Sequence, residues 1–132
     1  MRIIWDWNGT LLDDNHASLS ALNAILSRRG LKTIDLDYYR KNFAFPVRYF
    51  YESLGVKIEC EDWDKLAQEY HDAYHEAQLR LTGDALEALS LVKENNVPQA
   101  VVSAMREDYL KSDMDKFGIR SFFEAVLGTN NL

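Results

Sequence analysis

Cysteine is nearly absent from these 132 residues: Cys60 is the single one, so no internal disulfide can form. The chain starts Met1-Arg2-Ile3-Ile4-Trp5-Asp6, with an acid too early for a secretory signal, and the two features predict a reducing, cytoplasmic setting. No apolar run approaches the length of a membrane span, so no membrane partner is expected. There is no block of Lys or Arg. The 15 basic residues are outnumbered by 21 acidic ones, for a net charge of −6. Such a chain is poorly suited to a phosphate backbone, and no nucleic-acid partner is expected. With two prolines, six glycines and no low-complexity stretch, a disordered linker is excluded as well. What is present is globular: 47% hydrophobic and 27% charged residues, at a length fitting one domain with at most a small insert. Nothing in the sequence fixes an oligomeric state.

Hydrophobic patterning supplies the order of elements. Arg2 to Trp7 is a nearly continuous apolar run, which predicts a strand covered on both faces, ended by the turn signal Asn8-Gly9-Thr10. From Asp14 to Arg29, Leu19, Leu22, Ile25 and Leu26 share a helical face, and Gly30 supplies a stop. Asp35 caps a short helix reaching about Asn42, and Pro46 opens another that stops at Gly55. Glu61 to about Arg80 is the longest helical pattern, striped by Trp63, Leu66, Tyr70 and Tyr74. A helix from Asp84 to Asn95, a strand Gln99 to Ser103, a helix Arg106 to Phe117 and a strand Glu124 to Leu127 complete the chain. Two strands flanking one helix form a βαβ unit and imply a parallel sheet. The fold class is α/β: a Rossmann-like core from 1–13 and 82–132, interrupted by a helical subdomain at 14–81.

One segment points to chemistry. The first strand delivers Asp6, then Asn8-Gly9-Thr10, into a turn, and parallel folds place their chemistry at such strand ends. A carboxylate there can attack phosphorus. Gly9 lets the backbone turn sharply beside an anion, and Thr10 can orient the carboxylate. Ser103, ending a second strand, offers a hydroxyl and a following N–H, that of Ala104, to phosphoryl oxygens.

Ile3-Ile4-Trp5-Asp6-Trp7-Asn8-Gly9-Thr10-Leu11-Leu12-Asp13 resembles the first motif of the haloacid dehalogenase superfamily, an apolar strand followed by Asp-x-Asp-Gly-Thr and Leu. Ala100-Val101-Val102-Ser103 resembles its second, and the intervening helices match its helical cap. Phosphoglycolate-phosphatase-like and β-phosphoglucomutase-like members are similar in layout. The resemblance implies a hydrolase that removes phosphate from a small phosphorylated metabolite. Asp6 would be nucleophile. The Asp6 side chain and the Asn8 carbonyl would hold Mg²⁺. Gly9, Thr10, Ser103 and Ala104 would bind phosphate, and Arg48 on the cap would meet the substrate.

Two departures accompany the resemblance. Asn8 stands where the family's phosphatases carry the Asp that serves as general acid and base, a role worth roughly a hundred- to ten-thousandfold. The family also continues, after the third strand, with a Lys and an acidic pair that complete the metal site. No such residues follow Gly128, and the sequence is expected to be a piece of a longer protein whose first strand would otherwise have an open edge. Alternatives from the resemblance are a phosphonatase- or dehalogenase-type hydrolase, which lacks the second Asp, or a non-catalytic binding or regulatory paralogue. His71 and His75 share the spacing of a zinc-protease helix, but no third ligand accompanies them, and they are read as part of the Trp63/Tyr70/Tyr74 helix.

Overall fold

A computed structural model describes residues 1–130. Its elements in chain order are β1 (Ile3–Asp6), β2 (Leu12–Asp13), α1 (Asn15–Arg28), α2 (Leu36–Asn42), α3 (Val47–Ser53), α4 (Trp63–Glu76), β3 (Arg80–Leu81), α5 (Ala85–Glu94), β4 (Gln99–Arg106), α6 (Glu107–Lys116) and β5 (Ala125–Thr129). Single 3₁₀ turns lie at Ile58–Cys60 and Arg120–Phe122. The chain forms two compact units, one of residues 1–14 and 80–130, the other of residues 15–79. No helix among the described residues is long and apolar enough to cross a membrane.

The first unit holds a parallel sheet in the order β1-β4-β5 and a separate two-stranded antiparallel sheet, β2-β3, whose strands flank the helical unit in sequence. Both β1 and β5 pair with β4 in parallel, the arrangement the βαβ pattern predicts. Gln99 opens β4 and is buried, a cost that two hydrogen bonds offset. Its Oε1 accepts from Trp5 Nε1 at 2.9 Å, and its Nε2 donates to the Leu89 carbonyl of α5 at 3.0 Å. These bonds tie α5 to the face of the sheet that carries Trp5. Trp7, fully buried, packs edge-on to Phe117 just after α6. α6 closes on β5 so tightly that a Cβ on Gly128 would lie 2.5 Å from Glu107 Cα.

The expectation that β1 is covered on both faces does not hold within the described residues. Ile4 is 65% exposed, and Val102 and Leu127, paired on the same face, are 44% and 52% exposed. The apolar run alternates because the face that carries Val101 is buried and the face that carries Ile4, Val102 and Leu127 is open among the described residues. β4 also runs three residues further than expected, to Arg106, and carries an irregularity. Three residues separate Val102 from Arg106, whereas Gly128 alone separates their partners Leu127 and Thr129. This bulge lifts Ser103 to Met105 out of the regular ladder.

The second unit is helical. Leu22, Ile25 and Leu26 of α1 pack with Phe50 and Tyr51 of α3 and Leu66 of α4. Asp35 and Asp62 cap α2 and α4 by accepting from Tyr38 N and Lys65 N, each worth about 1 kcal/mol. Arg29, just past α1, bridges Glu61 and Glu69: its Nε and Nη2 meet both Glu61 oxygens at 2.6 and 2.9 Å, and Nη2 meets Glu69 Oε2 at 3.0 Å. The pairing holds both carboxyls below the usual range, chiefly through the hydrogen bonds from Arg29. α4 ends at Glu76, short of the expected Arg80, because Arg80 and Leu81 pair with Asp13 and Leu12 as β3.

Candidate active site

The first unit gathers Asp6, Asn8, Gly9, Thr10, Asp14 and Ser103 into one hydrogen-bonded loop system. β1 ends at Asp6, and the buried Trp7 side chain anchors the chain where it leaves the sheet. The Trp7 carbonyl then accepts from Thr10 N at 3.1 Å and Leu12 N at 3.0 Å, which closes the loop into a tight turn. Gly9 adopts φ +73°, in the left-handed region that glycine enters without a Cβ penalty. The turn brings the Thr10 hydroxyl back onto Asp6, donating to Oδ2 at 3.0 Å. Asp6 and Thr10 are exposed, so the carboxylate is oriented by its neighbour and open to solvent.

Asn8 joins the loop to β4. Its Oδ1 accepts from the Ser103 hydroxyl at 3.0 Å, and its Nδ2 donates to Asp14 Oδ2 at 2.8 Å. The reverse amide orientation would set two oxygens together at Asp14, so the network fixes the amide. Ser103 Oγ also accepts from Met105 N at 3.0 Å, within the β4 bulge. Asp14 is 3% exposed, and its Oδ1 accepts from Gly9 N at 2.9 Å. The Gly9 N–H is shared with the Leu12 carbonyl, also at 2.9 Å. Thr82 ties the far side, donating from Oγ1 to the Thr10 carbonyl at 2.6 Å and from N to the Leu11 carbonyl at 2.8 Å.

The structure thus brings Asp6, Asn8, Gly9, Thr10 and Ser103 together. The N–H of Gly9 and the hydroxyls of Thr10 and Ser103 all have partners within this network. Ala104 follows Ser103 in the bulge and is exposed. Arg48 lies in the helical unit on α3, where its guanidinium sits 6.0 Å from the centre of the Trp63 ring. His71 and His75 are on α4, with His75 Nδ1 2.8 Å from the His71 carbonyl.

Asp14 and Thr82 escaped the sequence reading as site residues. The hydrophobic pattern alone predicts Asp14 as the start of a helix. Its place just before α1, six residues after an Asn-Gly turn, is the signal that it faces back into the loop. For a hard divalent cation the donors are of the right kind: the Asp6 carboxylate and the backbone oxygen of Asn8. Among the described residues no cluster of three His, Cys, Asp or Glu side chains could hold a metal. One carboxylate and one backbone oxygen are donors of the kind that Mg²⁺ takes, with water filling its other positions.

Comparison with known proteins identifies the family and the fold. A family model described as haloacid dehalogenase-like hydrolase matches residues 3–132. PpaX of Caldanaerobacter subterraneus subsp. tengcongensis, named as a candidate pyrophosphatase, is 22% identical over 133 residues, covering 96% of this chain and 57% of its own. A predicted phosphoglycolate phosphatase from Haemophilus somnus superposes with a TM-score of 0.78 at 21% identity, covering 99% of this chain and 63% of its own. A haloacid dehalogenase-like family hydrolase from Streptococcus pneumoniae does so with a TM-score of 0.82 at 16% identity, covering 98% and 61%. The chain therefore spans about three-fifths of the length of these relatives.

Proposed function

The chain belongs to the haloacid dehalogenase-like hydrolases, and from that premise we propose that it carries the nucleophile half of a phosphatase acting on a small phosphorylated metabolite. The observation that carries this reading is the Asp6–Thr10 pair: an exposed carboxylate at the end of a parallel strand, oriented by a hydroxyl at 3.0 Å. Thr10 holds one carboxylate oxygen so that the carboxylate can approach phosphorus in line. The leaving alkoxide needs a proton. Asn8 cannot deliver one at neutral pH, so its part is to position: it keeps Ser103 against the loop and the loop against Asp14. Ser103 and the backbone at Ala104, in the β4 bulge, are our candidates for holding phosphoryl oxygens. Mg²⁺, held by Asp6 and the Asn8 carbonyl, would supply neutralisation of charge between carboxylate and phosphate.

The Asn at position 8 also supports a second reading, a hydrolase that takes its acid–base group from elsewhere, as phosphonatase- and dehalogenase-type members do. A panel of phosphoglycolate, pyrophosphate, a hexose phosphate, a phosphonate and a haloacid separates the two. Release of phosphate from a monoester, lost in Asp6→Asn, is the expected result. Turnover of the phosphonate or haloacid alone would transfer the assignment to the second reading. Activity on none of them, with no Asp6-dependent binding of fluoroberyllate, would leave a binding role.

A further inference from the structure

We propose that Asn8 is a modification site, where the folded loop promotes deamidation of the amide to a carboxyl group. Asn8-Gly9 is the one Asn-Gly pair in the sequence, and both residues are exposed to water. Glycine offers no side chain to hinder attack by its own backbone nitrogen on the preceding side chain. Beyond that local feature, the structure gathers the groups the reaction needs. Asp14 touches both nitrogens that change bonding: Oδ1 meets Gly9 N at 2.9 Å and Oδ2 meets Asn8 Nδ2 at 2.8 Å. The Ser103 hydroxyl donates to Asn8 Oδ1 at 3.0 Å, where negative charge builds as the carbonyl carbon is attacked.

The step is balanced as follows. Gly9 N bonds to Asn8 Cγ, its proton passes to Asp14, and the Cγ–Nδ2 bond breaks. Asp14 returns the proton to the departing nitrogen, which leaves as ammonia. Water then opens the five-membered succinimide. Opening at Cγ gives aspartate at position 8, and opening at the backbone carbonyl gives isoaspartate. The net change is amide plus water to acid plus ammonia, and no other reactant is needed. A carboxyl at this position can exchange a proton, which the amide cannot, so the modification would add acid–base capacity to the site. That consequence rests on the phosphatase reading above; the modification itself rests on the loop geometry alone.

Peptide mass mapping of residue 8 over time at neutral pH tests the modification. The folded chain and the same chain in urea are compared, with Asn8→Asp as the chromatographic standard for the aspartate product. We expect a gain of one mass unit at Asn8, at least about tenfold faster in the folded chain. Asp14→Asn, checked for folding by circular dichroism, should slow the folded rate by about a hundredfold, and Ser103→Ala should slow it by a smaller factor. A folded rate equal to or below the rate in urea would overturn the proposal without any variant. So would folded Asp14→Asn and Ser103→Ala chains that deamidate as fast as the parent. Phosphate release is followed in the same samples. A release rate that rises with the converted fraction supports both claims. Conversion to aspartate without such a rise upholds the modification and shows that position 8 supplies no acid–base group, while loss of phosphate release in Asp6→Asn tests the phosphatase reading separately.

Discussion

The Ser103 hydroxyl donates to Oδ1 of Asn8 at 3.0 Å across 95 residues of sequence. This bond joins the end of β1 to the bulge in β4. Since Met105 N donates to the same hydroxyl at 3.0 Å, Ser103 is held from both sides. Ser103→Ala removes both bonds at once. It should cost about 1–2 kcal/mol of stability, measured by urea unfolding, and should weaken phosphate binding as well. Ser103→Thr, which keeps the hydroxyl, should restore most of both. Loss of stability in Ser103→Thr equal to that in Ser103→Ala would show that volume, and not the hydroxyl, matters.

Asp6→Asn keeps the shape of the side chain, and its oxygen can still accept from Thr10, so folding should change by under about 1 kcal/mol. Phosphate release and fluoroberyllate binding should both vanish, because the amide is neither nucleophile nor anionic ligand. Residual fluoroberyllate binding by Asp6→Asn, measured by fluorine NMR, would move the anion site away from Asp6.

The Asp6-to-Thr10 turn was legible because its chemistry is local. A strand end, an Asn-Gly pair and a hydroxyl four residues after the acid are all within one short stretch. Helices α1, α2, α3, α5 and α6 fall within a few residues of the pattern, since capping residues such as Asp35 and left-handed stops such as Gly30 and Gly118 mark their ends. What escaped depends on distant partners. The two-residue strands β2 and β3 are too short to show alternation, and only the pairing of Leu12 with Leu81 makes them strands. Asp14 looks like any acid before a helix until Gly9 and Asn8 turn toward it. The β4 bulge depends on its partner strand, because the extra residues are extra only relative to Gly128.

Gly128→Ala tests the closeness of α6 and β5. The new Cβ would meet Glu107 Cα at 2.5 Å and the Met105 carbonyl oxygen at 2.6 Å, both backbone atoms with no freedom to swing aside. The strand or the start of α6 must shift. A loss of about 1–3 kcal/mol in urea unfolding is expected. An unchanged midpoint would mean that the two elements are further apart than this packing.

Arg29→Ala should destabilise the helical unit by about 2 kcal/mol, because it leaves Glu61 and Glu69 facing each other without their shared cation. Both carboxyls are lowered from 4.5 in the folded chain. Their pairing with Arg29 therefore contributes fully above the unfolded value and is lost as pH falls through the lower folded values. The stability gap between parent and variant should be widest near neutrality and should close on acidification below about pH 4. A gap that is constant with pH would assign the loss to packing of the arginine stem.

Asn8→Asp sets two effects against each other. The amide now donates to Asp14 Oδ2 at 2.8 Å; a carboxylate in its place would repel Asp14 or share one proton with it. The variant should lose stability relative to the parent at neutral pH, measured by urea unfolding, because an acceptor replaces the donor that faces Asp14. The same carboxyl can hand a proton to the leaving group and take one from water. If position 8 faces the reacting phosphate, phosphate release should rise by about a hundredfold despite the weaker fold. The rate is read on the folded fraction, so the two effects separate. Lower stability with no gain in rate would show that position 8 serves the loop alone, and an acid–base group for the proposed reaction would then have to come from another residue.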